Sequence, residues 1–142
     1  VPSAGARHAL ETYLLANNVN GLPEGLYRFS ALKHALLELS REPGLADRLA
    51  AACLGQTFVK TSAVTFIWSA VAARMTWRYG ERGNRYLLLD AGHVCQNLYL
   101  SAEAIGCGVC AIGAFADEAV DRLLGFDGKE QYSLYLAAVG KK

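Results

Sequence analysis

The residues from Leu87 to Phe115 decide the fold, because a long apolar helix is followed at once by a strand-like segment. The first part reads L-L-L-D-A-G-H-V-C-Q-N-L-Y-L-S-A-E-A-I from Leu87 to Ile105, with apolar residues three and four positions apart along one face. Further leucines, Cys95 and Tyr99 cover much of the remaining surface. A helix that is apolar nearly all round is buried nearly all round. We therefore expect one side of this helix to meet a second copy of the chain.

The second part reads G-C-G-V-C-A-I-G-A-F from Gly106 to Phe115 and carries no charge. Its C-x-x-C pair is compatible with a metal or redox site. Structural zinc needs four ligands at matched spacing, however, and Cys53, Cys95 and the three histidines do not supply them. A redox pair lies at a helix N-terminus, whereas Cys107 and Cys110 stand in strand-like sequence. We interpret both as small core residues and expect no metal.

Two further interpretations of this segment involve its backbone. Gly106-x-Gly108-x-x-Ala111 fits a loose dinucleotide fingerprint, but that turn leaves a strand and opens a helix, which is the reverse of the order here. Ile112-Gly113-Ala114 offers approachable N–H groups to a flat ligand, and its plain alternative is a strand-to-helix turn. Ser3-Ala4-Gly5 is equally small and approachable. Gln56 has the groups to pair with the amide-like edge of a heterocycle, or it is an exposed loop amide.

The composition also points to a buried partner surface. The 142 residues are 53% hydrophobic, and 14 basic against 13 acidic residues give a net charge of +1. The longest run without charge or amide, Thr61–Ala73, is shorter than the roughly 20 residues of a membrane span. Interspersed charges leave no footprint for nucleic acid, and four cysteines are too few for a disulfide scaffold. We expect an oligomer in a reducing, cytoplasmic setting, with no nucleic-acid or membrane partner.

The predicted elements follow the order β-β-β-α-β-α-β-α-β, which indicates an α+β fold with a mixed sheet and helices packed on it. We expect a single domain over residues 1–142. The predicted strands are Leu10–Val19, Leu26–Phe29, Ala35–Leu39, Ala63–Ala70, a short strand within Gly106–Phe115, and Tyr132–Val139. The predicted helices are Pro43–Gly55, Leu87–Ile105 and Asp117–Leu124, and Arg74–Arg85 is predicted to be a linker.

Taken in order along the chain, these segments resemble the nitroreductase-like flavoprotein family. The resemblance is strongest to the branch that includes the dehydrogenases of thiazole/oxazole peptide biosynthesis. The matching segments are P-S-A-G-A at Pro2–Ala6, L-G-Q at Leu54–Gln56, W-R-Y-G-x-R-G at Trp77–Gly83, R-Y-L-L-L-D-A-G-H-V-x-Q-N-L-Y-L at Arg85–Leu100, G-x-G-V-C-A-I-G-A-F at Gly106–Phe115 and the terminal L-A-A-V-G. Each motif alone is weak, but the ordered set is fairly specific.

The resemblance implies a homodimer that binds FMN at its interface, with the long helix in the dimer core. The implied cofactor-binding residues are Ser3, Ala4, Gly5, Gln56, Ile112, Gly113, Ala114 and Lys141. Among these, Gln56 would approach the ring edge, and Gly113 and Ala114 would offer N–H groups near the redox face of the flavin. The sequence begins after the family's N-terminal helix and Arg-rich phosphate motif, and Lys141 is a basic residue past the last apolar strand.

We expect an FMN-dependent oxidoreductase of nitroreductase type, which takes hydride from NAD(P)H and passes electrons to a small nitro, quinone or enone acceptor. Tyr79 is the candidate catalytic residue, as a proton donor. The azoline-oxidising relatives have a Lys-Tyr pair where this chain has Arg78-Tyr79, and arginine stays protonated, so it cannot act as a base. An azoline dehydrogenase and a non-catalytic flavin-binding or interaction domain are the alternatives.

Overall fold

The computed structural model describes residues Val1 to Lys142, which form an α+β fold as the sequence predicts. The strands are β1 Leu10–Ala16, β2 Gly25–Ser30, β3 Ala35–Ser40, β4 Val64–Val71, β5 Cys107–Ile112 and β6 Gln131–Lys141. The helices are α1 Leu45–Ala52, α2 Phe58–Thr61, α3 Ala73–Tyr79, α4 Gly83–Ala104 and α5 Asp117–Leu124, with short 3-10 turns at Ala4–Ala6 and Gly80–Arg82.

The six strands form one sheet in the order β3-β2-β1-β4-β6-β5. Every neighbouring pair is antiparallel, so the prediction of a mixed sheet is wrong. β4 and β5 do run in the same direction, since both are antiparallel to β6, and they are connected through α3 and α4. β6 lies between them, however, so the two parallel strands never pair. The sheet is thus fully antiparallel because the last strand, β6, inserts between β4 and β5.

The central strand β4 is covered on both of its faces. Ile67 belongs to the main buried cluster, which also contains Leu49 of α1 and Val120 of α5, and none of the three has any exposed surface. Trp68 points to the opposite face, where it shares a buried cluster with Cys95 of α4. A strand that is buried on both faces lacks the alternation of apolar and charged residues, which explains the uncharged sequence V-T-F-I-W-S-A-V, in which the two polar residues Thr65 and Ser69 are also buried.

The long helix α4 buries only one of its faces within this chain. It begins at Gly83, earlier than the predicted start at Leu87. Leu87 and Cys95 are buried, but Leu88 and Leu100 are 63% and 62% exposed. The chain by itself therefore does not provide the all-round burial that the composition of this helix demands. No helix in the structure is both long enough and apolar enough to cross a membrane.

The segment Arg74–Arg85 is not a linker, because most of it is helical. Residues Ala73–Tyr79 form α3, and a 3-10 turn leads from there into α4. The side chain of Met75 is fully buried in a cluster with Leu87. Tyr79 also packs against this cluster, so two apolar residues attach the helix to the core. The charged residues between them remain at the surface, which makes the apolar pattern hard to recognise in the sequence.

The first strand ends at Ala16 and not at Val19. The N–H groups of Asn17 and Asn18 both donate to the carbonyl oxygen of Ala63, at 2.9 and 3.0 Å. The side-chain amide of Asn17 also donates to the carbonyl oxygen of Val59 at 2.8 Å. These bonds take the chain out of the sheet, and asparagine commonly competes with a strand ladder in this way.

The four cysteines occupy different environments. Cys107 and Cys110 lie on the edge strand β5, where positions three residues apart point to opposite faces. Cys107 is half-buried and Cys110 is exposed, so the interpretation of both as core residues is wrong for Cys110. Cys53 and Cys95 are buried. Burial raises the pKa of the Cys53 thiol to about 11.

We expect Cys110 to react first with iodoacetamide near neutral pH, and Cys53 to react only on unfolding, because the thiolate is the reactive form and must be accessible. Peptide mass spectrometry over a time course, in native buffer and in urea, measures both rates. Cys110→Ser removes the fast phase if the assignment is right. Equal native rates for Cys53 and Cys110 would contradict the structure.

Asp121 connects α5 to β6. The residue is 5% exposed, and its carboxylate accepts a hydrogen bond from the backbone N–H of Ser133 at 2.6 Å. Asp121→Ala leaves that buried N–H without an acceptor, so we expect the free energy of unfolding to fall by about 2 kcal/mol. Urea denaturation measures the loss. Asp117→Ala, at an exposed position on the same helix, is the control, and an equal loss in both variants would show that Asp121 has no special role.

Candidate functional site

The loop that follows β5 is fixed to the end of α1. The side-chain amide of Gln56 donates to the carbonyl oxygens of Ala114 at 2.9 Å and of Cys53 at 2.8 Å. The N–H of Ala116 donates to the carbonyl oxygen of Ala52 at 2.8 Å. Two of the sequence-predicted residues, Gln56 and Ala114, are therefore in direct contact. The amide nitrogen of Gln56 is fully used by these bonds, which leaves only its oxygen free.

The same loop presents open hydrogen-bond donors to solvent. Gly113 and Ala114 are exposed, and the N–H group of neither has an acceptor within the chain. Just before them, the side chain of Ile112 is buried in the main cluster, where it anchors the end of β5. Because the loop is held while its donors stay free, it can bind an oxygen or nitrogen acceptor on a flat ligand without first becoming ordered.

Two tyrosines that the sequence did not identify support this loop from the side of α4. The hydroxyl of Tyr99 accepts the backbone N–H of Ala111 at 3.0 Å. The ring of Tyr135 lies 4.0 Å from the position that a Cβ atom on Gly113 would take. Burial is the main cause that raises the pKa of the Tyr135 hydroxyl. From its position on the helix, Tyr99 was predicted only to pack against apolar neighbours. The sequence did not reveal its hydrogen bond, because the partner Ala111 lies on the following strand.

The N-terminal turn is held by Asp90, the buried one of the two acidic side chains in α4. The hydroxyl of Ser3 donates to Asp90 Oδ2 at 2.6 Å, and the N–H of Ala4 donates to Asp90 Oδ1 at 3.1 Å. The Ser3 hydroxyl also accepts the N–H of His8 at 3.0 Å. Asp90 is only 4% exposed, so both of its oxygens need these partners. The one feature of the sequence that indicates a bonded role for Asp90 is its position in an apolar helix, where a buried carboxylate needs hydrogen-bond partners.

Tyr79 lies against this turn and not against the Gly113 loop. Gly5 has a φ of +55°, and a Cβ atom at this position would overlap the hydroxyl of Tyr79. The ring of Tyr79 packs edge-to-face on Tyr86 with 4.8 Å between centroids. Its hydroxyl makes no hydrogen bond within the chain, so it is available to a ligand. The structure thus brings Ser3, Ala4, Gly5 and Tyr79 into one group.

The predicted residues occupy three separate places in one chain. The turn that carries Gly5 leads into β1, whereas Gly113 follows β5. Since β4 and β6 lie between them, β1 and β5 are about 14 Å apart across the sheet, and the two groups lie at the ends of different strands. Lys141 is paired with Cys107, at the opposite end of β5 from Ile112, which is a distance of roughly 17 Å. There it lines an open cleft.

Comparison with known proteins places this geometry in a family. The model of the Nitroreductase family matches residues 1–141. The Methanocaldococcus jannaschii protein MJ1384, named as a candidate nitroreductase, is 37% identical over 142 residues, which are all of this chain and 70% of that protein. The trifolitoxin-processing protein TfxB of Rhizobium leguminosarum bv. trifolii is 28% identical over 131 residues, which are 89% of this chain and 35% of that protein.

Solved structures agree with the sequence matches. A candidate nitroreductase from Anabaena variabilis superposes with a TM-score of 0.90 at 30% identity, over 97% of this chain and 28% of that chain. The E. coli microcin synthetase McbBCD complex with truncated pro-MccB17 bound gives 0.86 at 21% identity, over 99% of this chain and 55% of the matched chain, and this likeness concerns the fold alone. This chain thus matches only part of each of these relatives. Because the family model covers almost its whole length, the chain belongs to the nitroreductase family.

Proposed function

We propose that this chain is the flavin-binding core of an FMN-dependent oxidoreductase, which takes hydride from NAD(P)H and passes electrons to a nitro, quinone or enone acceptor. The observation that carries the proposal is the pair of unused N–H groups at Gly113 and Ala114, on a loop that Gln56 fixes in place. Membership of the nitroreductase family supports the assignment of these donors to a flavin.

The residues present fit a flat, hydrogen-bonding cofactor. Gly113 has no side chain to obstruct an approach, and a Cβ atom there would meet only Tyr135. The N–H groups of Gly113 and Ala114 suit acceptor atoms on the ring, and the free oxygen of Gln56 suits a ring N–H. Bound FMN would supply the hydride chemistry, which no side chain of this protein performs.

The protein's own contribution is orientation and charge stabilisation. Donors that are fixed before a ligand arrives stabilise negative charge on a ring without reorganisation. Gly113 and Ala114 fill this role in the proposal. Tyr79 has a hydroxyl with no protein partner and is proposed to donate a proton to the reduced acceptor. Lys141 forms no ion pair and is proposed to bind the phosphate of FMN.

A second copy of the chain is proposed to complete the site. The turn at Gly5 and the loop at Gly113 belong to strands that are about 14 Å apart within one chain, so in this proposal the partner subunit supplies one of the two groups to each flavin ring. The exposed leucines of α4, among them Leu88 and Leu100, offer an apolar surface for this contact. Such a surface on an isolated chain is typical of an interface.

The direct test is turnover by the purified protein after addition of FMN. We expect NADH or NADPH to bleach the flavin absorbance without oxygen, and menadione or nitrobenzene to restore it. Gel filtration with light scattering on the same sample measures the dimer. Protein that retains no flavin after reconstitution, or bound flavin that neither nucleotide reduces, would refute the proposed activity.

An azoline dehydrogenase is the second candidate, because of the similarity to TfxB and to the microcin synthetase complex. Arg78 argues against an azoline dehydrogenase, because it occupies the position of the lysine of the Lys-Tyr pair and a protonated arginine cannot act as a base. An azoline-containing peptide tests it directly. Oxidation of that peptide by the wild-type protein but not by Tyr79→Phe would favour this function, and no oxidation would exclude it.

We expect Gln56→Leu to weaken FMN binding by about tenfold, because the carbonyl oxygen of Ala114 loses its donor and the loop is no longer fixed. Flavin fluorescence during titration measures the dissociation constant. Thr57→Val is the matched control, because Thr57 is the exposed neighbour and its side chain caps no helix. If both variants bind FMN as wild type does, the loop does not need Gln56.

A further inference from the structure

We infer that Arg7 and Arg78 form an anion-binding site beside the N-terminal turn, which recognises an acidic group, in particular a carboxylate, on the electron acceptor. The inference rests on the proposed function, because it assigns a substrate class to the same site. It is carried by the positions of the two guanidinium groups, by the lack of any acidic partner for them, and by the aromatic side chains on which they stack.

The two arginines approach Gly5 from different parts of the chain. The Nε–H of Arg7 donates to the carbonyl oxygen of Gly5 at 3.1 Å. The Nε atom of Arg78, near the end of α3, lies 3.4 Å from the position that a Cβ atom on Gly5 would take. Two positive charges therefore flank one glycine. The positive φ and the absence of a side chain at Gly5 make room for this arrangement.

Neither guanidinium group is neutralised by the protein. Half of the basic residues, including Arg28, Arg48 and Arg74, form ion pairs, but Arg7 and Arg78 have no carboxylate within 4.0 Å. Asp90 holds the same turn, yet its two oxygens already accept bonds from Ser3 and Ala4. Two unpaired like charges beside one residue repel each other, and a bound anion would reduce this repulsion.

Aromatic stacking leaves the hydrogen-bonding edges of both guanidinium groups free. Arg7 lies over the ring of Trp77, 5.1 Å from its centroid, and Arg78 lies over the ring of Tyr79 at 5.5 Å. Stacking uses the flat face of a guanidinium group, so its N–H groups still point outward. Arg78 donates no hydrogen bond in the chain, and Arg7 donates only the bond to Gly5. These free donors match the two oxygens of a carboxylate.

Two neighbouring groups narrow the class of ligand. The hydroxyl of Tyr79 lies against Gly5 and adds an uncharged donor to the site. The ring of Trp77 is 69% exposed beside Arg7 and gives a flat apolar surface. A conjugated or aromatic acid satisfies both features, since its ring packs on Trp77 while its carboxylate meets the arginines. A phosphate of the nucleotide donor has similar charge, and the experiment separates the two sources.

The experiment compares two acceptors of similar size on the FMN-loaded protein, 4-nitrobenzoate and neutral 4-nitrobenzyl alcohol, with the variants Arg7→Gln and Arg78→Gln. Arg48→Gln is the control, because it removes one positive charge from an exposed ion pair on α1. We expect each test variant to raise KM for 4-nitrobenzoate by about tenfold or more, since a charge-assisted hydrogen bond is lost. In these variants, KM for the neutral acceptor stays within about twofold of the wild-type value. In the control Arg48→Gln, KM for each of the two acceptors stays within the same range.

Isothermal titration calorimetry with benzoate measures binding to this site without any turnover. We expect binding to the wild-type protein and to Arg48→Gln, and its loss in Arg78→Gln. If no acceptor is reduced but benzoate still binds in this pattern, the site stands and the proposed activity fails. Equal KM values for the two acceptors in wild type and variants, or no benzoate binding by the wild type, would overturn the inference. An increase in KM confined to NADPH would overturn the acceptor assignment in favour of the donor phosphate.

Discussion

The burial of β4 on both faces is the constraint on which the rest of the structure depends. Ile67 and Trp68 face opposite layers, so α1 and α5 must cover one side of the sheet and α4 the other. This packing fixes where each helix ends and which residues it presents at the edge of the sheet. Gln56 follows α1 and Asp90 lies on α4, so apolar packing positions the two polar side chains that hold the candidate binding loops.

The two loops are held in the same way. In each, a polar side chain fixes the loop by hydrogen bonds to its backbone or side chains, while other polar groups of the site keep no partner within the chain. Gln56 uses its amide nitrogen on Ala114, and the N–H groups of the loop remain open. Asp90 uses both carboxylate oxygens on the N-terminal turn, and the free groups there belong to the arginines and to Tyr79. Because the hydroxyl of Ser3 is already bonded twice, the proposed ligand contacts of this turn fall to its backbone and its neighbours more than to Ser3 itself.

Local sequence pattern was sufficient to predict most elements, and the family was indicated by the resemblance of the ordered motifs. The six strands, α1, α4 and α5 follow from apolar runs, glycine turns and helix periodicity, with ends that differ by a few residues. The antiparallel sheet did not follow, because the insertion of β6 between β4 and β5 is a contact between distant segments. Helix α3 was missed because Met75 is its only fully buried residue, and the half-buried Thr76 and Tyr79 alternate with exposed and charged residues.

The site was predictable as a set of residues but not as an arrangement. The pairing of Gln56 with Ala114 brings together two predicted residues, whereas nothing in the spacing indicates that Tyr79 lies beside Gly5. Asp90 and Tyr99 went unrecognised, since each bonds to a segment far away in sequence. The binding of FMN, the second subunit and the roles of Tyr79 and Lys141 stay predictions that rest on free groups and on family membership.

The most direct measurement of the central claim is the midpoint of thermal unfolding as a function of FMN concentration. A ligand that binds only the folded state stabilises it by about 2.7 kcal/mol at a hundred times its dissociation constant. The account predicts that the midpoint rises progressively with FMN, by several degrees for a chain of this size. A midpoint that does not change up to saturating FMN would contradict the assignment of these loops to a flavin.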